Sequence, residues 1–184
     1  MNIATPVDDK IKSDFVIDDG EIIKKSLIVA KKLDVYLDDL KVVVKNSFST
    51  SKEDNKYQSK LHGLAWVATY VEALKQMSIW ADELYKSQNF KKAERTILTL
   101  SFHEYLNQLF GGIMMSQNEI IRPVDLDYKK VALGKLDCED VLFFRDEIDV
   151  DYLRSQLIEL IIRNEGTSFI AVSYTHLTLP TTFG

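Results

Sequence analysis

Apolar residues recur every three or four positions along most of the chain, which is the spacing of one face of an α-helix. The first run predicts a helix over about 21–45, preceded by Asp18 and Asp19, whose carboxylates favour a helix N-terminus. Polar residues at 46–47 and 49–55 predict the loop that follows. The predicted buried stripe of the first helix is Ile23, Leu27, Ala30, Leu33, Leu37, Leu40 and Val44.

A second helix is predicted over about 54–87, with Trp66 and Trp80 beside its apolar stripe. Gly63 lies inside this helix, where glycine costs roughly 1 kcal/mol relative to alanine. Its presence indicates either the close approach of another helix or weak local selection. The predicted stripe is Leu61, Leu64, Ala68, Val71, Leu74, Met77, Ala81 and Leu84.

A third helix is predicted over about 91–116. Gly111 and Gly112 near its end predict a bent or thinned place where another backbone can approach. The segment 118–123, which ends at Pro123, predicts a loop. The predicted buried face of the third helix is Ala93, Ile97, Leu100, Tyr105, Leu109 and Ile113.

The helical signal is weaker after Pro123. It predicts one short helix over about 125–133 that breaks at Gly134, another over about 137–146, and a third over about 149–164 that stops before Gly166. Residues 1–171 contain no convincing period-2 alternation. The sequence therefore predicts an all-α fold, an antiparallel helical bundle with three long helices and shorter C-terminal helices. The predicted apolar side of the last helix is Leu153, Leu157, Leu160 and Ile161.

Composition narrows the possible functions. Charged residues make up 28% of the chain and the net charge is −5, so the chain lacks the basic footprint of a nucleic-acid-binding protein, and anionic membranes are disfavoured too. The polar segment 1–19 predicts a disordered N-terminus without a signal peptide, followed by a helical domain over 20–171. Cys138 is the single cysteine, which excludes a disulfide within the chain. We expect a cytoplasmic protein.

The end of the chain differs from the rest. Residues 172–181 read VSYTHLTLPT and carry no acidic or basic side chain. This string resembles the translation of a transposase-based sequencing adapter, and the alternative interpretation is an apolar terminal strand. We predict that 172–184 is a non-native, adapter-derived tail which, like an expression tag, carries no information about the natural fold. We also predict that the natural reading frame continues beyond Ala171.

Residue types that carry chemistry are sparse. His62 and His103 lie on different predicted helices without a Glu-x-x-His motif, which favours half-buried or surface histidines over metal ligands. Cys138 is surrounded by carboxylates, which disfavour a nucleophilic thiolate. The acidic stretch lacks the spacing and the glycine of a calcium loop, so a solvated face is expected. Its members are Asp137, Glu139, Asp140, Asp146, Glu147, Asp149 and Asp151.

Two further groups of residues leave alternatives open. Five aromatic residues at helical spacing either line a ligand pocket or, as we favour, belong to the core or to an interface. The segment 110–117 is apolar and glycine-rich, and it is either an exposed docking patch or, as we favour, part of the core. No catalytic, cofactor-binding or metal-binding residue is assigned. The five aromatic residues are Trp66, Tyr70, Trp80, Tyr85 and Phe90.

Two strings carry a family resemblance. Residues 62–74 (HGLAWVATYVEAL) resemble part of the N-terminal extension of the (2S)-methylsuccinyl-CoA dehydrogenases, bacterial flavoproteins of the acyl-CoA dehydrogenase superfamily. The resemblance continues through Trp80–Ala81 and 104–106, and it is strong again in 111–123. It is weaker over 153–166, and the first 50 residues and 137–150 match poorly. His103 stands where the family would have a glycine.

The resemblance implies that this chain is the helical accessory part of an FAD-dependent enzyme whose catalytic domains are missing here. Such enzymes oxidise an acyl-CoA between Cα and Cβ: a glutamate takes the α-proton, and flavin N5 takes a hydride. The implied substrate is (2S)-methylsuccinyl-CoA of the ethylmalonyl-CoA pathway. The implied partners are the chain's own catalytic domains, other copies in a homo-oligomer, and electron-transfer flavoprotein. None of the family's functional residues maps onto this sequence. A free-standing helical interaction domain without catalytic activity is the alternative.

Overall fold

The computed structural model describes residues 17–47, 55–128 and 134–163. Of the predicted disordered N-terminus (1–19), only residues 17–19 are described, and the predicted adapter-derived tail (172–184) lies outside the described residues. Three long helices form a bundle, and two short helices follow near the C-terminus, so the all-α prediction is confirmed. The long helices are α1 (Asp19–Ser47), α2 (Asn55–Lys86) and α3 (Lys92–Gly111).

The starts of two long helices have identifiable causes. Asp18 Oδ2 accepts a hydrogen bond from the Gly20 backbone N–H at 3.0 Å, and this satisfies one of the free amides at the start of α1. At the start of α3, Glu94 Oε2 accepts a hydrogen bond from the Lys91 N–H at 3.0 Å. Helices α1 and α3 therefore begin within two residues of their predicted starts.

The prediction for the third helix is wrong at its end. Helix α3 stops at Gly111, and Gly112 follows with φ of 134°, a conformation that residues with a Cβ rarely adopt. Residues predicted as helix and as loop instead form an antiparallel hairpin of β1 (Ile113–Ser116) and β2 (Glu119–Ile121). The lack of period-2 alternation in 1–171 therefore did not exclude two short strands.

The C-terminal third was predicted in part. The expected helix over 125–133 is wrong where it is described, because a 3₁₀ turn spans Pro123–Leu126, and residues 129–133 lie outside the described residues. A second 3₁₀ turn, Gly134–Leu136, begins at the predicted break. Helices α4 (Glu139–Asp146) and α5 (Val150–Arg163) confirm the last two predicted helices.

One core runs through the bundle. It takes buried side chains from α1, α2, α3, both strands, both 3₁₀ turns and α4, whereas α5 contributes none. The predicted stripe of α1 is buried except for half-buried Leu27. Within the described residues, no helix is long and apolar enough to cross a membrane.

The buried faces of α2 and α3 differ from those predicted. Leu61 of α2 is 41% exposed, because the core-facing row begins with Gly63 and Val67 instead. In α3 the predicted Ala93, Ile97, Leu100 and Tyr105 are only half-buried. Two apolar rows run along α3, and the other row faces the core because α1 and α4 lie on that side. This core row includes Leu98, Phe102, Leu106 and Leu109.

Candidate docking surface

Two stretches without any Asp, Glu, Lys or Arg meet at one end of the bundle. They are residues 61–71 of α2 and residues 105–118, which run from the last turns of α3 into the hairpin. The ring of Tyr70 stacks on that of Tyr105 with centroids 4.5 Å apart. The Tyr70 hydroxyl donates a hydrogen bond to Gln108 Oε1 at 2.7 Å. We call the solvent-reaching side chains of these two stretches, together with Ile120, the uncharged surface.

Aromatic rings form a row on the α2 side of this surface. His62 and Trp66 lie one helical turn apart with ring centroids at 6.4 Å, and Trp66 and Tyr70 repeat that spacing. Trp66 Nε1 donates a hydrogen bond to His62 Nε2 at 3.1 Å. Burial raises the pKa of Tyr70, and the neighbouring Tyr105 raises it further, so the hydroxyl remains a hydrogen-bond donor. Trp66 and Tyr70 are half-buried and His62 is exposed, and the row is held by contacts among its own members.

The hairpin supplies the apolar part of the surface. Strand side chains alternate between two faces, so Ile113 and Ile121 point to the core while the cross-strand pair Met114 and Ile120 points outward. Met114 is 64% exposed and Ile120 is 44% exposed. An outward pair of this kind is ordinarily polar when a hairpin faces water.

Gly63 makes room for the hairpin on α2. A Cβ added at Gly63 would lie 2.7 Å from Ile121 Cδ1 and would also overlap Ile121 Cγ1. The glycine therefore marks a close approach, as one of the two alternatives predicted. The neighbour is a strand side chain and not the expected helix. This contact joins the two strings that carry the family resemblance, because Gly63 lies in 62–74 and Ile121 lies in 111–123.

Charged residues border the uncharged surface, and several are paired within the chain. Lys60 forms an ion pair with Asp127, and Glu104 pairs with Arg154 of α5. Arg122 Nη1 lies 3.8 Å from Asp125 Oδ2. A neutral aromatic and methionine-containing centre within a charged rim is the usual anatomy of a protein–protein interface.

His62 and His103, the two histidines considered as metal ligands from the sequence, each have their own local hydrogen-bond partner. His62 accepts the Trp66 hydrogen bond, so its Nε2 lone pair is already used. His103 Nδ1 lies 3.1 Å from the Phe144 carbonyl oxygen, which can only accept, so Nδ1 donates. In residues 17–47, 55–128 and 134–163, no group of three or more His, Cys, Asp and Glu side chains is arranged to hold a metal ion.

Six of the seven residues of the acidic stretch are exposed, as expected for a solvated face, and several of the seven also form ion pairs. Arg145 binds Asp146 at 2.8 Å and Asp137 at 3.0 Å, and its hydrogen bond holds the pKa of the Asp146 carboxyl below its usual range. Asp140 lies 3.2 Å from Lys25 of α1. Asp140 thereby links α4 to α1, whereas the two pairs of Arg145 are local to α4 and the residues just before it. Cys138 is half-buried directly before α4.

The five aromatic residues that the sequence places either in a ligand pocket or in the core lie in different parts of the structure. Trp66 and Tyr70 belong to the uncharged surface, and Trp80 is half-buried against the core. Tyr85 and Phe90 line a cavity of about 520 Å³ near the start of α1, together with Asp19, Lys86 and Gln88. The segment 110–117 is split in the same way, since Ile113 is buried and Met114 is exposed. Part of the segment therefore belongs to the core, as favoured, and part of it is exposed.

Sequence reasoning missed Gln108, Met114 and Ile120 as members of one surface. The signal was present as two uncharged stretches in a chain with 28% charged residues. Their proximity is not apparent from the sequence, which predicts one continuous helix over 105–116 and contains no local sign of the contact between Tyr70 and Tyr105.

Comparison with known proteins agrees with the family resemblance. No protein-family model matches the chain. Over 77 residues it is 46% identical to (2S)-methylsuccinyl-CoA dehydrogenase from Cereibacter sphaeroides. The matched stretch covers 42% of this chain and 14% of that protein, so the chain spans only a small part of the curated relative's length. This similarity supports a relationship between the chain and the acyl-CoA dehydrogenases.

Proposed function

We propose that this chain is a helical accessory region of an FAD-dependent acyl-CoA dehydrogenase that acts on (2S)-methylsuccinyl-CoA or a close analogue. The observation that carries the proposal is the 46% identity over 77 residues to an enzyme of that activity. The region would be the N-terminal part of a cytoplasmic polypeptide whose catalytic domains lie outside the given sequence. Its role would be to pack against those domains.

The residues that line the cavity near the start of α1 do not fit an FAD site. A dinucleotide needs free backbone amides or unpaired cations around its pyrophosphate. In the cavity near the start of α1, Lys86 is paired with Asp82 at 2.6 Å and Asp19 adds a negative charge. We therefore assign flavin binding and the α,β-dehydrogenation to other domains, and no reaction step is placed on this chain.

The test begins with the gene. Reading the locus beyond codon 171 in a longer assembly should reveal several hundred further codons in place of those for 172–184. The full-length protein should then be yellow, with a flavin absorption spectrum that bleaches when (2S)-methylsuccinyl-CoA is added. The 184-residue chain, prepared in the same way, is the control and should be colourless.

Two results would contradict the proposal. A natural stop codon soon after 171 would favour the free-standing helical interaction domain. A full-length protein without flavin, inactive on every acyl-CoA offered, would exclude a dehydrogenase even if the chain is long.

A further inference from the structure

We infer that the uncharged surface is the face on which the catalytic domains of the same polypeptide dock. The inference rests on the proposed function and adds to it the part of the bundle that makes the contact. The key residues are Trp66 of α2, Tyr105 of α3, Met114 of β1 and Ile120 of β2.

The chemistry of the surface selects a protein partner. It offers aromatic rings and a methionine, residues that are enriched at protein–protein interfaces, and it offers no charge. A nucleic acid or an anionic membrane would require cations, and the nearby Lys60 is already paired with Asp127. The cavity of about 520 Å³ lies elsewhere, near the start of α1.

The partner that covers the uncharged surface is inferred from the length of the related dehydrogenase. The stretch that matches this chain makes up 14% of the dehydrogenase, so the related sequence lies in a polypeptide about seven times as long as the match.

A second apolar face on α5 is a weaker candidate. Ile158, Ile161 and Ile162 are 57%, 45% and 68% exposed. They are interspersed with Arg154, Glu159 and Arg163 and lie outside the core cluster. This isoleucine stripe serves as the matched control.

Hydroxyl-radical footprinting with mass spectrometry measures the relevant quantity, because methionine, tryptophan and tyrosine side chains react when they are exposed. The oxidation rates of Met114 and Trp66 are compared between the full-length protein and the 184-residue chain. Docking excludes water from an interface centre, so we expect the Met114 rate to fall roughly fivefold or more in the full-length protein. Tyr85, 45% exposed beside the cavity near the start of α1, is the internal reference and should react equally in both.

Paired variants of the full-length protein test which face is covered. Met114→Lys combined with Ile120→Lys should restore the oxidation rate of Trp66 to its value in the 184-residue chain. Ile158→Lys combined with Ile162→Lys should leave it protected. All four positions are exposed, so both variants should fold, and their circular dichroism and Tm check this.

The outcomes separate this inference from the proposed function. Equal Met114 oxidation in a yellow full-length protein and in the 184-residue chain would overturn the docking face and leave the function intact. Protection that also arises in the 184-residue chain as its concentration rises would mean that a second copy covers the surface, and would overturn the inference. Protection in a colourless, inactive full-length protein would overturn the named occupant together with the function.

Discussion

Gly63 is the residue on which the contact between α2 and the hairpin most directly depends. Replacing it with alanine gains about 1 kcal/mol of helix propensity. The new methyl group would overlap Ile121, which is 4% exposed and has little room to move, and such overpacking costs about 1–3 kcal/mol. We expect Gly63→Ala to lower the free energy of unfolding by up to about 2 kcal/mol, measured by urea denaturation.

The control is Gly111→Ala, because nothing lies within 4 Å of a Cβ built at Gly111. This variant should be neutral or slightly stabilised. In an Ile121→Ala background the cost of Gly63→Ala should disappear, which is the signature of a direct pair in a double-mutant cycle. An equal cost in both backgrounds would show that the glycine is needed for another reason.

Tyr36 places a polar atom in the core. Its side chain is 3% exposed, and within the described residues its hydroxyl has no hydrogen-bond partner. Burying an unsatisfied polar group costs about 1–3 kcal/mol. Tyr36→Phe should therefore leave the free energy of unfolding unchanged or raise it by about 1 kcal/mol. A loss of stability would show that a residue from outside the described ranges binds this hydroxyl.

The same residue predicts how stability responds to alkali. Burial raises the pKa of Tyr36, and the neighbouring Tyr128 raises it further, whereas in the unfolded chain the group titrates near its ordinary value of 10. The unfolded state therefore loses its proton first. Stability is fully present below about pH 10 and falls above it by about 1.4 kcal/mol per pH unit for each such group. Urea midpoints at pH 9 to 11 should decline less steeply for Tyr36→Phe than for the wild type.

At the scale of elements, the hairpin offers adjacent isoleucines on opposite faces. Ile121 is 4% exposed against α2, and Ile120 is 44% exposed on the uncharged surface. Ile121→Ala should cost about 2–4 kcal/mol through lost burial and a cavity, and Ile120→Ala less than about 1 kcal/mol. A larger cost for Ile120→Ala than for Ile121→Ala in urea denaturation would contradict the assigned register, since a one-residue shift exchanges the two faces.

The helices were predictable because long apolar repeats have few alternatives, and α1 and α2 begin and end within two residues of expectation. The hairpin was not predictable from the same rule. Ile113 continues the three-to-four spacing of α3, and only the backbone conformation at Gly112 ends that helix. A better signal is the polar pair Gln117–Asn118 between two apolar segments, a pattern typical of a hairpin turn.

The candidate surface was predictable only in its parts. Residues 61–71 and 105–118 can each be recognised as uncharged in the sequence. Their proximity depends on the stacking of Tyr70 on Tyr105, a contact between residues 35 positions apart that no local pattern contains. Likewise, the two apolar rows of α3 are equivalent by spacing, and the choice of Phe102 over Ile97 for the core is made by Phe144 of α4, whose ring lies 4.7 Å from that of Phe102.

At the scale of the whole molecule, the core joins every element except α5. The eight-residue helix α4 buries Val141, Phe143 and Phe144, whereas the longer α5 buries no residue completely. Its apolar side, including Leu153 and Leu157, is half-buried, with an ion pair from Arg154 to Glu104 of α3. The bundle from α1 to α4 should therefore unfold as one cooperative unit, and α5 should open on its own at a lower free energy.

Native-state hydrogen exchange in low urea tests this division. Amides at the centres of α1 and α3 should exchange only through global unfolding, with a dependence on urea that matches the equilibrium transition. Amides of α5 should exchange faster and with little dependence on urea, because local opening exposes little surface. Phe144→Ala should lower the global free energy of unfolding by about 3–5 kcal/mol, and Leu157→Ala should cost less and speed exchange mainly within α5. Exchange of α5 that followed the global transition would show that the core extends further than its fully buried residues indicate.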